Sequence, residues 1–545
     1  MLHPKPSLFD TMDEEQTKSP SHHAILIGID AYVDRPLRGS VRDIDHIKRL
    51  LQAQRNPTIP PENIHAFTAT SNGDQNPRLK GDPKFWPTTN PGDEPLASKF
   101  RDVSMLPSWM MNPDGYAVLA ACGPHEEATE IIQDGNHHGA LSRLLYLTLK
   151  ETGLGKRHKD IYYRLCARFR GSPLKQNPAL YGNKDQGFFG QDKSTNSPTI
   201  PVVQTRNTLV LQAGQAHGVV EGDDFILYPS REASQSAGSQ NNTMVATASQ
   251  IQPLTSTLVL EQFVTSPGQE YLIAEPQTRQ VQDYAVTLGP DVVNRDKGLS
   301  ALSKLSLSDN DSTDRRCLSF SVMAIDSEYK ISGISGQEVK HLPAMRKDCI
   351  GPDGISAILA HLAKYEFVKN ISNPSATDDF LSSISINITT RTGSLFGPGS
   401  VIDIEQDGSR GYMFELKVEN RGKKDLYLHV FNLGPSWQIE NILRGSYEPL
   451  PPVDQSRGLS GRFCKKLKTA VPDEIKDRGF GSCDDLLKVL VTSQPTSFDI
   501  FELPKIGQVG KKKSSTRSGK TEEGDVQEWA AFNFHLRTTL KPGLW

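Results

Sequence analysis

The sequence predicts an α/β domain with an incomplete, mostly parallel sheet over residues 21–190, followed by two mainly-β domains over 191–304 and 305–545. Three observations carry this expectation. His23 to Leu51 reads as strand, loop and amphipathic helix in succession. Val118 to Leu149 again places a strand before a helix, and beyond about residue 190 the apolar spacing changes from helical to strand-like. A chain of 545 residues is too long for one core, and about three domains is the usual division.

In chain order, residues 1–20 are polar and acidic, predict a flexible N-terminus and hold no hydrophobic signal core. Ala24 to Ile29 is an apolar run of strand length, as expected of a parallel strand covered on both faces. A turn-rich loop follows from Asp30 to Gly39. A helix then starts at Ser40, which can cap it, with Asp43 three residues on as in a capping box. Val41, Ile44, Ile47 and Leu51 share one face. Residues 68–112 contain neither Cys nor His, are broken by prolines, and read as an irregular loop of unusual length. Tyr116 to Ala121 predicts a strand. A helix headed by His137 and His138 should bury Leu141, Leu144, Leu145 and Leu149. A second helix over Lys156 to Arg170 should turn Ile161, Leu165 and Phe169 inward, and Asn177 to Gly190 holds a short returning strand.

The words of the first segment, IGIDAY followed by PLRGSVRD, resemble the opening strand and loop of the metacaspases and fungal caspase-domain proteins, whose form is IGI-x-x-Y followed by L-R-G-C-x-N-D. The LAAC run ending at Cys122 and the HGALSRLL run resemble a later strand and helix of the same family. The resemblance implies a caspase-like, three-layer α/β fold and the activity of a cysteine-type endopeptidase directed to Arg or Lys. In that family the acidic residue of the first loop lines the pocket for the basic side chain. Asp43 stands at that place, Ser40 replaces the neighbouring pocket Cys, and Arg42 replaces Asn. Ca²⁺ dependence is a further implication, with no acidic cluster in the sequence to assign to it.

A peptidase of this kind needs a Cys thiolate and a His base at the ends of neighbouring strands. The family carries them in SGHG and D-x-CHSG motifs between the two segments quoted, and this chain has neither. The central strands bearing the dyad are missing, by loss or by a misjoined reading of the gene. Cys122 is the remaining candidate nucleophile, with His125, His137 and His138 near it in sequence; its bland reading is a buried thiol at a strand end. The bland reading of Asp43 is an acid in the first turn of a helix. No histidine and cysteine spacing predicts a zinc site.

A net charge of −3 and a pI near 6.5 suggest no polyanion partner, so nucleic acid is not expected. Six scattered cysteines suit a reducing compartment, and no apolar run reaches the ~20 residues of a membrane span, so the expectation is a cytoplasmic protein. The basic run at Lys511 to Lys513 lies in a Ser/Gly-rich flexible loop over 508–525.

The strands expected within residues 191–304 have the spacing of a small barrel or sandwich. Around Ser306 to Arg316 a polar linker is expected. Tyr412 to Ile439 alternates twice around a charged turn and predicts a hairpin of a β-sandwich-like domain, with Tyr427, Phe431 and Trp437 as core rather than a ligand platform. Three functions follow: an Arg/Lys-directed peptidase whose dyad is absent from this reading, a pseudopeptidase that binds peptides or regulates relatives, or a recognition protein working through its β domains.

Overall fold

The computed structural model describes residues 24–30, 37–53, 59–69, 117–188, 200–229, 244–260, 272–276, 284–288, 318–506 and 526–541, with short breaks inside the longer stretches. The expectations for residues 1–20, for most of 68–112, for the Ser306 to Arg316 linker and for the 508–525 loop lie outside the described residues. The described chain is mostly β-strand with few helices. Two compact units compose it, residues 1–95 with 130–155, and residues 96–129 with 156–545.

In the first unit, strand Ala24–Ile29 pairs in parallel with Ile64–Ala69, and helix Ser40–Ala53 lies between them in sequence, giving a β-α-β crossover. The helix buries Ile44, Leu50 and Leu51. Ile25 and Ile27, on alternate positions of the strand, are 59% and 63% exposed, which corrects the expectation of a strand covered on both faces. Glu130–Gln133 and Asn136–Gly139 form a hairpin whose turn residues, Asp134 and Gly135, both have positive φ, as the tightest two-residue turns require. Helix Ala140–Thr152 therefore begins after His137 and His138, which belong to a strand. It buries Ala140, Thr148, Leu149 and Thr152, while Leu141, Leu144 and Leu145 are half-buried.

The second unit holds the rest of the expected α/β region. Ala117–Ala120 pairs antiparallel with Ala179–Gly182, and helix His158–Arg170 buries Ile161, Leu165 and Phe169. Among the described residues, then, the region 21–190 forms separate two-stranded pieces divided between two units, not one mostly parallel sheet.

Six antiparallel strands from Ile200–Thr205 to Leu272–Pro276 close into a barrel filled by residues such as Leu211, Phe225, Leu227 and Ala274. Closure leaves no sheet edge unpaired. Strand Tyr284–Leu288 then pairs in parallel with Leu318–Ile325, so the expected boundary at residue 304 falls inside a three-stranded sheet. Helix Pro352–Asn370, absent from the sequence expectation, packs Ile355, Leu359 and Leu362 into one core with Phe320, Val322 and Ile331 of that sheet.

The C-terminal part is a sandwich of two sheets. Tyr412–Asn420 sits in one, between Ile384–Thr390 and Arg462–Thr469, while Leu426–Leu433 sits in the other beside Ser482–Thr492. The predicted hairpin does not form. The two segments face each other, with Leu416, Val418, Leu428 and Val430 in a shared core. Asn420 shapes the crossing: its amide donates to the Lys424 and Leu450 carbonyls and accepts the Gly422 N–H. The barrel core runs on into residues of the second sheet, including Phe431, Leu486 and Leu490.

Candidate functional site

The first unit gathers the only described trio of close, metal-ligating side chains, Asp43, His46 and His138. Helix Ser40–Ala53 supplies Asp43 and His46, which lie three residues apart and so share a face. His138 comes from the strand Asn136–Gly139. Gly39 allows the approach of that strand, because a Cβ there would lie 2.6 Å from the His137 carbonyl oxygen and 2.8 Å from the His138 Cα. Arg42 adds a hydrogen bond from Nη1 to the same His137 carbonyl at 3.3 Å.

Asp43 is 5% exposed and His138 3%. The His138 Nδ1 lies 2.6 Å from Asp43 Oδ1, and the Gly139 N–H donates to Oδ2 at 2.7 Å. Both carboxylate oxygens are thus engaged inside the unit. The capping box expected from Ser40 and Asp43 is absent, since the Ser40 N–H donates instead to Asp30 Oδ1 at 2.8 Å. The carboxylate fixes the orientation of the His138 ring, as an acid beside an imidazole commonly does. The His46 ring lies 5.6 Å from the His138 ring and 5.4 Å from that of Tyr146. Burial holds the His46 pKa below the ordinary histidine value, helped by the His138 and Arg143 charges and opposed by Asp43.

Of the residues named from the sequence, the structure joins Asp43 to His138 and leaves Ser40 as a helix-start residue whose backbone, not its side chain, makes the described contact. His137 stands 4.0 Å from Glu130. Cys122 belongs to the second unit, after strand Ala117–Ala120, and its thiol donates to the Glu126 carbonyl at 3.3 Å. Burial, then the Glu126 charge, raises its pKa, which is the opposite of what a nucleophilic thiolate needs. His125 lies outside the described residues. His46 was not singled out by the sequence, although its i,i+3 spacing from Asp43 is legible there; the joining of both to His138, 95 residues beyond Asp43, is not.

The second unit also contains a cavity of about 630 Å³ lined by Tyr329, Lys330, Lys340, His341, Arg478 and Phe480, within the size range of small-molecule sites. His341 has φ 61°, and its buried Nδ1 has no partner among the described residues. Among the described residues no helix is long and apolar enough to cross a membrane. No protein-family model matches the chain, and no curated protein is significantly similar to it.

Proposed function

We propose that this chain descends from the caspase-like cysteine peptidases, a line of endopeptidases cutting after Arg or Lys, and acts as a non-hydrolytic scaffold that binds or regulates proteins. The observation that carries the reading is the commitment of Asp43 to His138 and Gly139. A carboxylate so buried and so held is out of reach of a basic substrate side chain. The β-α-β unit around IGIDAY and PLRGSVRD supports the ancestry. The protonated, capped Cys122 thiol and the lack of SGHG and CHSG motifs support the loss of hydrolysis.

The test is incubation of the full chain with fluorogenic peptides carrying Arg or Lys at the cleaved position, with and without Ca²⁺. No release is expected. Release abolished by Cys122→Ala would overturn the scaffold reading and restore a peptidase. Sequencing the native transcript across the codons for Thr68 to Asn112 gives an independent check, because an inserted stretch encoding the two missing motifs would supply the dyad.

A second reading, recognition through the β domains, is favoured by the cavity at His341. Its strained backbone and unpartnered nitrogen resemble a binding site more than a packed core. Screening the full chain against anionic aromatic compounds, with His341→Ala as control, tests it; hits that bind the variant equally well would remove this support.

A further inference from the structure

We infer that Asp43, His46 and His138 form a binding site for a divalent transition-metal ion, with zinc the best chemical match. One donor atom from each residue lies within 4.8 Å of the other two. A zinc ion with bonds near 2.0–2.1 Å needs ligand atoms roughly 3.3 Å apart, so the set must close by about 1.5 Å at most. Two imidazoles and one carboxylate suit zinc and its neighbours, whereas calcium and magnesium prefer oxygen ligands throughout. Three protein ligands leave a fourth position for water.

The supports around the trio have the form of a built site. Two ligands sit on one helix face at i and i+3 and the third on an adjoining strand, so regular elements hold all three. The Gly139 N–H fixes the outer oxygen of the Asp43 carboxylate, leaving Oδ1 to face the cation. The ion takes the place of the proton between Asp43 Oδ1 and His138 Nδ1, and that proton passes to Nε2 of the same ring, so the bound imidazole is neutral. Their separation then opens from 2.6 Å by under 1 Å. His46 is half-buried and gives the ion its path from solvent. Arg143, the neighbouring cation, is held by Gln133 Oε1 at 2.9 Å and lies 3.7 Å from the Asp134 carboxylate, which offsets its charge.

The experiment uses the full chain stripped with a chelator and titrated with zinc chloride alone, read by calorimetry and by competition with a chromophoric zinc indicator. One equivalent is expected to bind. His46→Ala should weaken it at least tenfold with unchanged circular dichroism, and His137→Ala, its neighbour on the His138 strand, should leave it unchanged. Cobalt(II) in place of zinc should give the intense visible absorption of a four-coordinate site, lost in His46→Ala. Zinc binding that ignores His46→Ala, as exposed Cys349 and Cys464 could give, would overturn the assignment. So would a cobalt spectrum no different from that of the hydrated ion.

Discussion

The ring of His217, in the barrel, donates from Nε2 to the Ser497 carbonyl at 3.0 Å and accepts the Gly214 N–H on Nδ1 at 3.1 Å. The two bonds fix the neutral tautomer. Phe498 stacks on its face with ring centroids 4.6 Å apart. A barrel loop is thereby fastened to the segment that follows the long strand Ser482–Thr492 of the sandwich.

That fastening predicts acid sensitivity. Burial holds the His217 pKa down to about 3, whereas an unfolded histidine protonates near 6.5. Between those values the unfolded chain binds more protons, so the contribution of His217 is complete above pH 6.5 and is lost as pH falls, at about 1.4 kcal/mol per pH unit. Urea unfolding at pH 7.5, 6.0 and 5.0 should show this slope. His217→Gln should be less stable at pH 7.5 and lose less on acidification; an unchanged slope would refute the assignment.

Glu448 predicts the opposite sign. Burial lifts its pKa from 4.5 to about 7, against the pull of Lys465. The folded chain binds the extra proton in that window, so stability is lost as pH rises through it. Glu448→Gln should match the parent at pH 4 and exceed it at pH 8 by about 1–3 kcal/mol, allowing for partial solvent screening. Equal melting temperatures at pH 8 would count against a carboxyl whose pKa burial raises.

Removing the Asp43 carboxylate strands one buried donor, the His138 ring, and one half-buried donor, the Gly139 N–H. A buried unsatisfied donor costs about 1–3 kcal/mol and a half-buried one less, so Asp43→Ala should destabilise the first unit by about 1–4 kcal/mol. Amide exchange is the suitable readout. The loss of protection should fall on Gly139 and on helix Ser40–Ala53 and spare the barrel.

Cys122 should behave as a poor nucleophile. Because its pKa is raised, iodoacetamide at pH 7.5 should alkylate it more slowly than it alkylates free glutathione. Mass spectrometry of peptides from a timed reaction measures this, and faster labelling than glutathione would revive its candidacy in catalysis.

How much of this was legible in the sequence depends on the range of the interaction. Alternation at Phe414, Leu416 and Val418, and again at Leu426, Leu428 and Val430, correctly marks inward-facing residues. It is silent about which strand each will join, and a short charged turn suits a sandwich crossing as well as a hairpin. Helix Pro352–Asn370 carries a readable helical period in Ile355, Leu359 and Leu362, yet it lies in a region whose strands dominate the pattern. The Asp43 and His46 half of the candidate site is local and readable. Its His138 half depends on a glycine contact at residue 39 that no periodicity encodes.

The barrel core does not end at the barrel. Leu227 and Phe225 share one continuous apolar interior with Phe431, Leu486, Phe498 and Trp529. Cutting between the two parts would expose that interior to water, so neither can be exchanged as a self-sufficient cassette. Lineages that shuffle domains would have to pass barrel and sandwich on together, and substitutions on either side of the seam should be accepted only in compensating pairs.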